Sequence, residues 1–191
     1  MKNKLACILM LTGCIALFSI QSAMAFGIGV YMDGAYNKFS ATDQGYSTDL
    51  GEYGFLGAGL VLDSCLAKNQ LFNYRLQLGY QKDLKYPDYP THKISMNNYF
   101  GFGIVRMKYF RWWLGPQLGL RYYILDSGNG TDNEAGGNVG LVMGFNFNIG
   151  QVFTIGLDFG FRYNFLFRSP LIHGPEGHGA LSFMFRVDDN Y

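Results

Sequence analysis

The chain has 191 residues and a formal net charge of +1, enough for one domain and with no sequence-wide positive excess to draw it to nucleic acid. Only 15% of the residues are charged, 49% are hydrophobic and 17% aromatic, whereas a typical soluble domain is about 25% charged. The 26 glycines follow no collagen period, so the balance is that of a β protein that avoids bulk water on one side.

Residues 1–25 read as an export signal. Lys2 and Lys4 form a short basic region, LACILMLTGCIALFSI an apolar core, and Ala23-Met24-Ala25 a cleavage signature, so a mature domain over 26–191 is expected. A second reading takes Leu11-Thr12-Gly13-Cys14 as a lipobox, with Cys14 the lipidated N-terminus. The apolar core is short before Cys14 and continues past it, which favours the cleaved signal. Cleavage leaves Cys65 alone, so no intrachain disulfide is expected despite export. No later stretch approaches the roughly 18 uninterrupted apolar residues of a transmembrane helix.

From residue 26 onward the dominant signal is period-two alternation, the mark of strands with two unlike faces. FGIGVYMDGAYNKF (26–39) starts with Ile28, Val30 and Met32 on one face and predicts a phase shift with a bulge at Gly34. EYGFLGAGLVLD (52–63) reads in either phase. LFNYRLQLGYQK (71–82) sets Phe72, Tyr74, Leu76, Leu78 and Tyr80 against Asn73, Arg75, Gln77 and Gln81. ISMNNYFGFGIV (94–105) sets Phe100, Phe102 and Ile104 against Asn97, Tyr99, Gly101 and Gly103. FRWWLGPQLGLRYYIL (110–125) alternates Leu114, Leu118, Leu120 and Tyr122 with Gly115, Gln117, Gly119 and Arg121, and Pro116 predicts a bulge because it cannot donate to the ladder. GGNVGLVMGFNFNI (136–149), QVFTIGLDFGFRYNFLF (151–167) and HGALSFMFRV (178–187) complete a set of eight.

Connections after the odd-numbered strands read as long and polar, those after the even-numbered ones as shorter. An even strand count with that rhythm is the layout of a transmembrane barrel with long outer loops and short periplasmic turns. A lipocalin-like soluble barrel would turn the apolar face inward. Its outer face would then be rich in Lys and Glu, but here the polar face is Gly, Asn, Gln, Ser and scattered Arg. Small residues suit the lumen of an eight-stranded barrel, and a nearly uniform Phe-rich face suits lipid. The fold class expected is therefore all-β, an eight-stranded antiparallel up-and-down transmembrane β-barrel. Tyr109, Trp112 and Trp113 at the periplasmic end of the fifth strand, and Tyr122 and Tyr123 toward its outer end, are the candidate aromatic girdle.

The layout over 26–191 resembles the small outer-membrane barrels of the OmpA, OmpX and OmpW type. One local signal accompanies it: Phe183, Phe185, Val187 and Tyr191 share one parity at the C-terminus, with Asp189 interrupting. The resemblance implies localisation in the bacterial outer membrane, with outer-membrane lipid and the barrel-assembly machinery as partners. The OmpW likeness implies lateral release of small, hydrophobic solutes through the wall.

The candidate lumen network is Asp33, Arg75, Gln77, Asn97, Gln117, Arg121, Asn146, Asp158, Arg162, Asn164, Ser182 and Arg186. It reads either as a plug of paired charges or as a narrow solute path. Because arginines outnumber acids in this set, a path would favour anions. His173, His178, Glu176 and Ser182 raise lipid A modification as a third possibility, but His178 and Ser182 lie four positions apart, roughly 13 Å along a strand. DSGNGTDNE (126–134) departs from the EF-hand spacing. Tyr46, Tyr86 and Tyr89, with Pro87 and Pro90, mark outer loops that could contact a host or surface ligand. No P-loop, zinc spacing or dinucleotide fingerprint appears, so no cofactor and no metal are expected. The leading expectation is a non-enzymatic protein with a structural or surface-binding role.

Overall fold

A computed structural model describes residues 26–43, 45–63, 71–84, 91–126 and 130–187. The proposed signal segment, Cys14, Cys65, the tyrosines and prolines at 86–90 and the terminal Tyr191 lie outside these residues. The eight strands are β1 (Phe26–Asp43), β2 (Tyr46–Asp63), β3 (Phe72–Asp83), β4 (Thr91–Arg106), β5 (Phe110–Asp126), β6 (Thr131–Ile149), β7 (Phe153–Leu166) and β8 (Leu171–Val187). Each is antiparallel to its neighbours, and β8 pairs back to β1, closing the barrel. Closure leaves no strand edge within the wall, which is what a sheet in lipid requires.

One parity faces out on every strand. Ile28, Val30 and Met32 on β1, Leu56 and Leu60 on β2, and Phe159 and Phe161 on β7 are exposed large apolar side chains. Their sequence neighbours Asp33, Val61, Asp158 and Arg162 are buried. The apolar residues thus cover the outside and the polar ones fill the inside, the reverse of a water-soluble barrel. Trp112 and Tyr122 both occupy the outward parity of β5, ten residues apart. Ten residues span about 33 Å of strand, and a tilt of about 40° reduces this to about 25 Å, the height of an outer-membrane apolar band.

Several expectations are corrected. β1 keeps its phase through Gly34, which pairs Leu56 in register; the shift falls between Phe39 and Ser40. The sequence misleads there because the outer end of the lumen is itself apolar: Ala35 and Phe39 face inward and pack with Phe55, Tyr123 and Leu166. Pro116 makes no bulge. Tyr99 pairs Gln117 and Phe102 pairs Leu114, so the register to β4 is the same on both sides of it, and Pro116 itself pairs Leu141 of β6. Only the pairing to β4 skips Gly115 and Pro116, while a shift occurs lower down, between Gly103 and Val105.

The outer connections are also shorter than expected. β1 and β2 continue as a paired ribbon to Asp43 and Tyr46, β5 and β6 as another to Asp126 and Thr131. Loop-like composition with Gly, Asn and Asp marks these ribbons in sequence, but cross-strand pairing carries the backbone through them. Likewise β8 starts at Leu171, seven residues before the expected start, and so draws Glu176 into the wall.

Candidate functional site: the barrel lumen

Two ionic clusters occupy the lumen, separated by an aromatic layer. The inner cluster, toward the end that carries the short turns 107–109 and 150–152, is centred on Arg75 of β3. Its Nε donates to Asp63 Oδ2 at 2.8 Å, its Nη1 to Asp158 Oδ1 at 2.5 Å and its Nη2 to Asn146 Oδ1 at 2.8 Å. Gln77 Nε2 donates to the other oxygen of Asp158 at 3.0 Å, and Tyr99 OH to Gln77 Oε1 at 2.8 Å. The guanidinium sits 5.1 Å over the ring of Trp113, a cation–π contact strengthened by the burial of both side chains.

The outer cluster is centred on Glu176 of β8. Arg162 donates through Nε to Oε1 at 2.7 Å, and through Nη2 to the same oxygen. Arg121 Nη1 lies 3.0 Å and Lys93 Nζ 3.3 Å from Oε2. Asn37 and Asn164 each donate a side-chain N–H to Oε2 at 3.2 Å. Lys93 Nζ also lies 4.1 Å over the Phe55 ring. The apolar group of Ala35, Phe39, Phe55, Tyr123 and Leu166 packs above it, at the outer end of the lumen.

Between the clusters Tyr99 stacks on His178 with centroids 6.3 Å apart and packs against Trp113 at 6.4 Å. His178 Nε2 lies 3.1 Å from Gln117 Oε1. Arg162 Nη1 reaches Asn97 Oδ1 at 3.4 Å, as Asn138 does at 3.5 Å. The wall is thinned to admit the large rings. A Cβ at Gly101 or Gly144 would run into the Trp113 indole, and one at Gly160 into the His178 imidazole. Strand glycine often marks such a close approach.

Each of the expected lumen residues occupies the inner face and is buried: Asp33, Arg75, Gln77, Asn97, Gln117, Arg121, Asn146, Asp158, Arg162, Asn164, Ser182 and Arg186. They do not form one group. Arg75, Gln77, Asn146 and Asp158 belong to the inner cluster; Arg121, Arg162 and Asn164 to the outer. Asp33 accepts from Gln81, and Arg186 Nη2 donates to Gly150 O at 2.5 Å near the inner rim. Sequence reasoning missed Asp63 and Lys93 and placed Glu176 only with His173, His178 and Ser182, outside the lumen network; these three residues complete both clusters. Asp63 and Glu176 restore an acid count close to the arginine count, which removes the basis for expecting an anion path. For Lys93 and Glu176 the signal was parity, since they lie four and six residues from the inward Asn97 and Ser182 on their strands; β2, readable in either phase, offered no such neighbour for Asp63.

The girdle assignment is corrected at two positions. Tyr109 and Tyr122 are exposed and Trp112 is half-buried on the outer face, where it stacks on Phe145. Trp113 and Tyr123 are buried in the lumen, at 0% and 2% exposure. Adjacent strand residues point to opposite faces, so neither the Trp-Trp nor the Tyr-Tyr pair can face lipid with both rings. Instead Tyr36, Tyr80 and Tyr163, toward the outer ends of β1, β3 and β7, are further exposed tyrosines of the wall. As for the hydrolytic pairing, Ser182 Oγ donates to Gly156 O at 3.3 Å and His178 engages Gln117, both inside the barrel.

No known family and no curated protein matches the sequence. Among solved structures, the chain is similar to Neisserial surface protein A, with 20% identity, 85% of this chain and 97% of that one covered, and a TM-score of 0.57. It is also similar to outer membrane protein OprG from Pseudomonas aeruginosa, with 10% identity, coverage of 86% and 96%, and a TM-score of 0.52. The chain has the fold of the small outer-membrane barrels. For this barrel, as for that fold, the apolar outer band places the wall in lipid and the outer membrane is the membrane that accommodates it.

Proposed function

We propose that the protein is a non-conducting, non-catalytic outer-membrane barrel that works at the membrane surface, through its outer ribbons and lipid-facing wall. The observation that carries this is the filled lumen. Arg75, Trp113, Tyr99, His178, Arg162 and Glu176 are all buried and bridge the interior from wall to wall. An eight-stranded barrel is just wide enough for side chains to fill it. The two outer ribbons are exposed over 45–50 and 130–133, with Tyr46 the most exposed aromatic on the first. They are the parts available to a host or surface ligand, and tyrosine is favoured in such contacts.

Single-channel recording of the refolded chain tests this reading, with folding followed by heat-modifiable gel migration. A silent bilayer is expected from the natural chain. Stable conductance steps that change in the Asp158→Ala, Arg162→Ala double variant would overturn it and make the lumen a path. One observation favours a second reading, passage of hydrophobic solutes: the outer mouth is lined by Phe39, Tyr53, Phe55, Tyr123 and Ile172. Such a solute would have to leave sideways above the Glu176 cluster, which blocks the way below.

A further inference from the structure

The lipid-facing wall is not uniform. Leu78, Ile94, Met96, Leu120, Ala135 and Phe167 border an apolar groove of about 260 Å³ across β3 to β6. The recess arises where Tyr122 pairs the small Ala135 and where Gly79, Ser95 and Gly136 supply the floor. Arg121, also at the floor, is already held by Glu176.

Directly outward of this groove the wall turns basic. Tyr80 pairs Ile94 at the groove, and Lys82 pairs His92 two residues further on, about 7 Å nearer the outer rim. The Tyr80 ring stacks on His92 with centroids 5.7 Å apart, and its hydroxyl bonds His92 Nδ1. When Tyr80 donates to Nδ1, the proton of a neutral imidazole resides on Nε2, which then faces away as a donor. Lys82 is exposed and has no acid partner among the described residues. Its long stem can lie on the apolar wall while the ammonium rises to the headgroup level.

A second wall groove, of about 350 Å³, is lined by Leu114, Leu141, Val142, Met143, Phe159, Gly160 and Phe161, with no charged side chain among them. Any acyl chain could cover it. The first groove has a cation and a ring donor stacked above an apolar recess, the same vertical order as a phosphate headgroup above its acyl chains. We propose that this face is a specific site for a phosphate-bearing lipid of the outer leaflet, with the phosphate on Lys82 and His92 and one acyl chain in the groove.

Native mass spectrometry of the refolded chain tests the site, with dioleoyl phosphatidic acid and dioleoylglycerol as probes that differ only in the phosphate. One retained phosphatidic acid is expected, with little dioleoylglycerol and no displacement by millimolar inorganic phosphate. The Lys82→Gln, His92→Gln double variant should bind it on the order of tenfold more weakly. Filling the groove with Ala135→Phe should remove it while heat-modifiable migration persists. Equal retention of the two lipids, unchanged affinity in the double variant, or displacement by inorganic phosphate would each overturn the proposal. Should Ala135→Phe fail to fold, the comparison of the two lipids and the exposed double variant still decide.

Discussion

In the inner half of the lumen one cation, Arg75, holds two carboxylates; in the outer half one carboxylate, Glu176, gathers three cations. Neutral amides add further hydrogen bonds to both clusters: Asn146 and Gln77 inside, Asn37 and Asn164 outside. The same problem, charge buried in a membrane-spanning barrel, thus has two solutions of opposite sign. Their common feature is a single hub residue to which all partners converge. Removing a hub leaves several like charges uncompensated, whereas removing one partner leaves the hub still paired with the others. The difference lies in what can relieve the loss. A carboxylate can be neutralised by a proton; a guanidinium cannot.

The largest expected effect is at the outer hub. Glu176→Ala leaves Lys93, Arg121 and Arg162 together without their acid and should cost about 3–5 kcal/mol or more, or prevent folding. Urea unfolding of the refolded barrel in lipid, read by gel migration, measures it. Arg75→Ala should cost a similar amount, about 3–5 kcal/mol, at neutral pH. A cost near zero for either variant would end the reading of that residue as the hub of its half.

A smaller effect is expected between the clusters. Gly144→Val places side-chain atoms where the Trp113 indole lies, and overpacking of this kind costs about 1–3 kcal/mol. A compensating Trp113→Leu in the same chain should recover part of it, which a double-mutant cycle of unfolding midpoints reads directly. The smallest effect is at the rim. Lys38 and Asp49 pair at 2.7 Å but are both about half exposed, so Lys38→Ala should leave the unfolding midpoint unchanged within error. A clear shift there would mean that the outer ribbon contributes to barrel stability as the lumen does.

Strand number, order and most of the inside–outside assignment were legible because period two is read residue by residue and lipid imposes it strictly. The last strands show this best: the parity of Phe153 to Phe167 and of Leu181 to Phe185 holds throughout in the structure. The errors fall where a local rule met a tertiary exception. Phe39 and Trp113 are apolar yet face inward, because the lumen has its own apolar layers. Trp113 and Tyr123 were placed with their neighbours by composition, whereas parity separates them.

The sequence by itself determined an alternating, eight-strand chain with an apolar outside and a polar inside, since those properties follow from the strand period and the solvent on each face. Only the tertiary structure decided how the inside is wired. Asp63 to Arg75 is a contact between adjacent strands, but Arg75 to Asp158 spans 83 positions of sequence and Arg121 to Glu176 spans 55. Which inward charge meets which depends on barrel closure and on the stagger between strands. Nothing in the spacing of a single strand records that stagger, so the two hubs emerged only when the ring was closed.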